Sequence, residues 1–361
     1  MKRALIACLS ALIACALAGC AGLRRPQSQP TSSLQCVDLI HSTWDSTEQA
    51  FGYDAENPWN TRYKLSTDAA GIIFILDTYK NRVAVFDQGG RFESYATVYP
   101  NPEPPRSGKE QIWDIAPGIG GRFFAAIGEP VTITRAGRVE TQTAYTSIYL
   151  FSNGNGTEPY ASKVVVREDM EQIRQDILAG GHLQHPFSMV VAGRDGSMYS
   201  LRLHGGVIQY PPESASRVLY DLYWQKVIVG WDSLLYILGQ GRWQAKDVLL
   251  AYEPLNGHLV RRTPVEDLSF VSEGGRLRSL VGVDTTGRLY FGTTEIDVLW
   301  RMSVIQSDVY ILSNGGNLER HVTIPGRLAH VDEAGRLYVF AHDRLNIPHG
   351  TFLVKRCSFT R

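Results

Sequence analysis

Cysteine is scarce in this 361-residue chain, with five in all, and charge of either sign is absent in net terms, with 36 basic side chains balancing 36 acidic ones. That balance gives no electrostatic reason to expect nucleic acid as a partner, because phosphate binding rewards a surplus of Lys and Arg. No glycine-rich phosphate loop follows a strand pattern, and no His-Glu-x-x-His, Cys-x-x-Cys or Gly-x-Ser-x-Gly occurs. Nucleotide binding, zincin chemistry and an ordinary serine hydrolase therefore have no linear support. No residue is assigned to catalysis, to a metal or to a cofactor. What is present is 44% apolar residues, 34 Gly and 37 aromatic side chains (17 Tyr, 13 Phe, 7 Trp). A chain of this length and composition buries a sizeable core and suits many strands joined by many turns.

The first residues speak of address. Lys2 and Arg3 precede an apolar stretch from Ala4 to Ala18, interrupted only by Ser10. It is short for a bilayer span and has the basic-then-apolar order of a secretory signal. It ends in Leu17, Ala18, Gly19 and Cys20, which resembles the lipobox of bacterial lipoproteins. The resemblance implies a signal peptide over 1–19, lipidation of Cys20 and a membrane anchor through that lipid, in which more than one acyl chain gives stable attachment. The alternative is an ordinary signal cut after Ala18. Residues 20–33 are small, polar and Pro-containing, and read as a flexible tether. Ala21 after the cysteine, where an Asp would stand in retained lipoproteins, implies a bacterial cell envelope location and the outer membrane where there is one. Beyond the tether only Cys36 and Cys357 remain, and an oxidising envelope permits their pairing as a disulfide, with two buried thiols as the alternative.

A repeated two-strand unit sets the fold class. Residues 64–76, 280–291 and 328–340 each show a strand, a turn opened by Asp68, Asp284 or Asp332 and closed by Gly71, Gly287 or Gly335, then an aromatic or β-branched strand. Weaker copies place turns at Gly137, Gly196 and Ser233. Outer hairpins follow at 82–92, 149–156, 207–220, 249–259 and 310–317, several with Asn-Gly at the turn. The expectation is an all-β, six-bladed β-propeller over 34–361, with a sandwich or a seven-bladed ring as alternatives. Asp68, Gly71, Asp77, Asn81, Arg82, Val83, Val85 and Phe86 of the first unit resemble the NHL repeat, which implies that type of propeller and says almost nothing of function.

Two departures stand out. Residues 99–111 carry too much Pro for a central strand. Residues 166–179 space Met170, Ile173 and Ile177 helically and end at Gly180 and Gly181, predicting one inserted surface helix. The last unit lacks a fourth strand. Residues 34–40 can supply it, although Leu34, Val37, Ile40 and Trp44 equally fit a helical face.

For function, the polar cluster His330, His342, Asp343, Asn346 and His349 is the nearest approach to a metal or proton-transfer site, and a surface loop plus an inward-facing His330 explains it more simply. Arg122, Arg138, Arg327 and Arg336 read as loop or surface salt-bridge residues. Trp44, Trp59, Trp113, Trp231 and Trp243 are candidate interface anchors at loops. The sequence thus points to a membrane-anchored extracytoplasmic propeller that binds a protein or glycan partner of the envelope. The alternative is a metal-dependent, lactonase-like hydrolase at the channel mouth.

Overall fold

The computed structural model describes residues 33–43, 50–51, 63–97, 111–135, 137–153, 160–167, 171, 175, 189–193, 196–202, 206–210, 217–220, 222–241, 247–254, 256–264, 278–293, 306–342 and 351–360. The chain divides into two compact units, residues 36–358 and the termini 1–35 with 359–361. Within the terminal unit the backbone N–H of Thr360 donates to the Ser33 carbonyl, and the two hydroxyls lie 2.7 Å apart.

The larger unit is built from six four-stranded antiparallel sheets. Strand β1 (Leu34–Thr43) comes first in the chain. Blade one is β2 (Tyr63–Thr67), β3 (Ile73–Asp77), β4 (Arg82–Phe86) and β5 (Phe92–Thr97). Blade two is β6 (Gln111–Pro117), β7 (Phe123–Arg135), β8 (Arg138–Asn153) and β9 (Tyr160–Arg167). Blade three is β10 (Met189–Ala192), β11 (Met198–Arg202), β12 (Gly206–Tyr210) and β13 (Arg217–Tyr220). Blade four is β14 (Leu222–Val229), β15 (Leu235–Gly241), β16 (Asp247–Tyr252) and β17 (Leu259–Pro264). Blade five is β18 (Arg278–Val283), β19 (Leu289–Thr293), β20 (Ser307–Leu312) and β21 (Leu318–Ile324). Blade six is β22 (Arg327–Val331), β23 (Leu337–His342), β24 (Thr351–Phe359) and, as its fourth strand, β1. The first strands touch in the cyclic order β2, β6, β10, β14, β18, β22 and back to β2, so the ring closes around a central channel.

The apolar pattern explains why sheets stack face to face. All five residues of β3 are buried, because successive side chains point to opposite faces and both faces are covered. Phe74 and Leu76 pack with Ile112, Phe123 and Phe151 of blade two. Ile73 and Ile75 pack with Tyr338, Phe340 and Phe352 of blade six. A strand covered on both faces is near-continuously hydrophobic, as β3 is.

Residues 34–43 adopt the strand alternative and not the helical one; Trp44 lies outside the described residues. Closure with β1 leaves no open seam between last and first blades. Cys36 and Cys357 are joined as a disulfide with α-carbons 4.0 Å apart, a little closer than the usual range of about 4.4–6.8 Å. Beside them Lys355 Nζ meets Asp38 Oδ1 at 2.5 Å.

Two expectations need correction. The turn of blade two lies at Gly121 and not at Gly137, which instead sits at the tip of the hairpin between β7 and β8. Pairing of these strands runs on to Arg135 opposite Arg138, well past the point where Gln111 of β6 pairs Gly128. Blade two thus carries a long two-stranded arm. The second correction concerns the inserted helix: Val166 and Arg167 belong to β9. Glu171 and Gln175 are helical and joined by a side-chain hydrogen bond of 2.9 Å. The remainder of that segment, and residues 98–110, lie outside the described residues.

Candidate functional site

The two ends of the ring differ in chemistry. At one end each blade turns tightly between its first and second strands, and a left-handed residue marks the turn: Gly71, Gly121, Gly196, Ser233, Gly287 and Gly335, with φ from 69° to 85°. A carboxylate caps most of these turns. Asp68, Asp284 and Asp332 each accept two backbone N–H bonds through Oδ1. The other oxygen of Asp284 takes the hydroxyl of Tyr290 at 2.9 Å, and that of Asp332 the hydroxyl of Tyr338 at 3.3 Å. Blade four reaches the same result by a different route. Its turn opens with Gly230, where a β-carbon would strike Asp232 Oδ1, and Asp232 Oδ2 takes the Tyr236 hydroxyl at 2.6 Å. Blade one has Phe74 where blades three to six have Tyr, and Asp68 Oδ2 is buried with no hydrogen-bond partner among the described residues. Burial accordingly raises the Asp68 carboxyl, against the pull of its backbone bonds.

Trp231 ties neighbouring blades together at this turn end. Its backbone N–H donates to the Val283 carbonyl of blade five at 2.9 Å. Its indole Nε1 donates to the Val331 carbonyl of blade six at 3.0 Å. One side chain thus spans from blade four to the last inner-strand residue of a blade two places away. The loop anchor expected at Trp231 is therefore a structural tie. Trp113 lies within β6; Trp59 and Trp243, like Trp44, fall outside the described residues.

The opposite end carries the long connections. Residues 98–110, 168–188, 265–277, 294–306 and 343–350, and the β7–β8 arm, all leave from strand ends on this side. Just inside it the first strands of the six blades present a ring of equivalent positions. In each blade the residue paired with the position five after the left-handed turn residue defines one level. The six are Lys64 (opposite Leu76), Asp114 (Ala126), Met189 (Leu201), Lys226 (Leu238), Ser279 (Gly292) and Arg327 (Phe340).

Three cations and one carboxylate share this level. Lys64 Nζ meets Asp114 Oδ1 at 2.6 Å, bridging blades one and two. Arg327 donates from Nη2 to the Tyr63 carbonyl at 3.2 Å and lies over the Phe340 ring, 5.4 Å from its centroid. Lys226 comes from blade four, across the ring from Lys64. Its side chain is half-buried, and protein surrounds its amine. Burial, reinforced by Lys64 and Arg327 and opposed by Asp114, pushes it down to about 8. Among the described residues it forms no hydrogen bond or ion pair. Arg327, read from sequence as a surface residue, belongs to this ring. The other arginines differ: Arg336 pairs Asp332 at 2.6 Å as expected, Arg122 follows the blade-two turn and Arg138 begins β8 at the arm tip.

His330 sits one step deeper and does not lead a metal cluster. Its Nε2 pairs with Thr67 Oγ1 at 2.9 Å, linking blades six and one. Burial drives its imidazole down to about 4, assisted by Lys64 and opposed by Asp332. His342 ends β23, and Asp343, Asn346 and His349 lie outside the described residues. Among the described residues no group of three His, Cys, Asp or Glu side chains is placed to hold a metal ion.

No protein family's sequence profile and no curated protein matches the chain. Solved six-bladed rings do resemble it in backbone. They include regucalcin from Agrobacterium tumefaciens, described as a calcium-binding protein (11% identity, 89% of this chain and 90% of that one, TM-score 0.48). Virginiamycin B lyase from Staphylococcus aureus is similar over 91% of this chain and 99% of its own (10% identity, TM-score 0.43). A putative glucose dehydrogenase from Thermus thermophilus is similar over 90% and 100% (16% identity, TM-score 0.49). At such identities the likeness concerns the fold and carries no activity with it.

Proposed function

We propose that this chain is a lipid-anchored, extracytoplasmic binding propeller of the NHL type, which recognises a protein or glycan partner of a bacterial cell envelope through its loop-rich end. One observation carries the reading: the strand ends from which the long connections leave, the β7–β8 arm and the charged ring share one end, while the other end is built of tight turns, most of them capped, and tied across blades by Trp231. Loops on a rigid scaffold are where binding residues concentrate. The anchor rests on Cys20 and the apolar segment before it, and the tether on 20–33.

The competing reading is a metal-dependent hydrolase at the same mouth. Three cations against one carboxylate at the ring repel a divalent ion where such an enzyme would collect one. The test uses the mature full-length chain in two assays, sedimentation with purified envelope glycan and turnover of a lactone panel with Ca²⁺ or Mg²⁺. Saturable sedimentation that is lost when residues 129–144 are replaced by a two-residue turn supports the binding function. Metal-dependent turnover abolished by Asp114→Asn overturns it in favour of the hydrolase.

A further inference from the structure

We propose that the ring formed by Lys64, Lys226 and Arg327 is a binding site for a single oxyanion group, carboxylate or phosphate, carried by a ligand that enters from the loop-rich end. This inference rests on reading that end as the binding end, and it names the chemistry that end accepts. It does not depend on the anchor.

The geometry supplies three arguments. The first is register. Lys64, Lys226 and Arg327 come from three blades, yet each stands opposite the residue five past its turn, so their α-carbons share one level of the channel. Chains that merely scatter lysines over a surface do not place them at equivalent positions of a closed ring.

The second is charge balance. Asp114 is neutralised by Lys64 at 2.6 Å. That leaves Lys226 and Arg327 without a carboxylate among the described residues. Arg327 spends one N–H on the Tyr63 carbonyl and stacks on Phe340, which fixes its guanidinium plane while leaving other donors free. A held guanidinium and an ammonium at the same level of the ring together supply donors for the two or three acceptor oxygens of one oxyanion.

The third is the situation of Lys226. A lysine surrounded by protein and pressed by two other cations is unfavourable unless something compensates it. Asp114, already paired with Lys64, offsets this only in part. An apolar side chain would fill the position at less cost, as Met189 stands at the equivalent place in blade three. An anion is the partner this amine lacks. The level of Lys226 lies towards the loop-rich end, away from the turns that Trp231 ties together, so the group enters and leaves by the loop-rich end.

The test is isothermal titration of the mature full-length chain at constant ionic strength, with two probes. Inorganic sulfate serves as the phosphate surrogate, because its charge does not change between pH 7 and pH 9, and glucuronate serves as the carboxylate. Saturable 1:1 binding of at least one probe is expected at pH 7. Lys226→Met and Arg327→Met should each weaken it by about tenfold or more, the loss of a charge-assisted contact. Raising the pH to 9 should weaken the wild type and leave Lys226→Met unchanged. Binding of sulfate alone identifies a phosphate-bearing ligand, and of glucuronate alone a carboxylate-bearing one; either supports the site. Absence of saturable binding by both probes, or unaltered affinity in Lys226→Met, overturns it.

Should the Met variant fail to fold, Lys226→Arg decides. Its charge persists at pH 9, so retained affinity there supports the site, and weakening equal to the wild type's removes it. Envelope binding by the arm without anion binding leaves the proposed function standing and this inference lost. Anion binding by a chain that sediments with no envelope fraction gives the reverse.

Discussion

The indole N–H of Trp231 and the carbonyl of Val331 meet at 3.0 Å and tie blade four to blade six, two places away in the ring. A donor that far from its own blade does two things: it satisfies the carbonyl at the end of β22, and it makes the two ends of the channel unequal. Trp231→Phe keeps most of the bulk and removes only the donor. The expected cost is about 1–2 kcal/mol in denaturant unfolding, the penalty for an unsatisfied buried carbonyl. A variant as stable as the wild type would show that the carbonyl finds water instead.

The capped turns predict an order of effects. Asp284 Oδ2 receives the Tyr290 hydroxyl at 2.9 Å, with Arg288 no nearer than 3.8 Å. Asp332 Oδ2 receives Tyr338 at 3.3 Å and also Arg336 Nε at 2.6 Å. Tyr290→Phe should therefore destabilise more than Tyr338→Phe, by about 1 kcal/mol. Chemical denaturation of both variants checks this, and equal losses would contradict it.

His330 makes stability depend on acid. Its imidazole titrates near 4 in the folded protein, held neutral mainly by burial, and near 6.5 in an unfolded chain. The unfolded state thus takes up the proton first, and stability is lost as pH falls from about 6.5 towards 4. Between pH 7 and pH 5 the loss from this group is about 1–2 kcal/mol. His330→Gln, which can still bond Thr67, should flatten that part of the profile in thermal melts. An unchanged slope would assign the acid sensitivity to other groups.

The disulfide of Cys36 with Cys357 fastens the first described strand to the last. Replacing both by Ser should cost about 2–5 kcal/mol. Limited proteolysis should then cut near residues 33–43 before any blade core, because β1 is an outermost strand. Two free thiols in freshly isolated, alkylated protein would remove the bond from the account.

Lipidation is tested at the N-terminus. Intact mass spectrometry should find Cys20 as the first residue, carrying acyl chains, and Cys20→Ser should accumulate as unprocessed precursor. A mature start beyond Cys20 would sink the anchor.

The six blades were legible because a turn needing a left-handed residue, followed by an apolar strand, recurs along the chain, though at uneven spacing. Five of the six turns stand where the pattern puts them: Gly71, Gly196, Ser233, Gly287 and Gly335. Blade two misled because Val131–Val139 alternates like the others. That stretch is the arm, with Val131 and Ile133 buried on one face, and the true turn, Gly118 to Gly121, has no opening Asp. Residues 34–43 fit two periodicities, and pairing with β24 decided between them. The charged ring was invisible for a different reason. Lys64, Asp114, Lys226 and Arg327 share no motif, and their level becomes clear only from pairing partners. Bulges in β18 and β22 shift the count by one residue, so Ser279 and Arg327, not Leu280 and Leu328, align with Lys64.

The central claim is that ligands meet this protein at its loop-rich end, and hydrogen-exchange footprinting of the mature chain with and without purified envelope glycan tests it most directly. The account predicts slowed exchange at residues 111–114, along the arm at 128–145 and around 326–328, with the turns at 68–71, 284–287 and 332–335 unchanged. Protection confined to those turns, with the arm and ring unaltered, would contradict it.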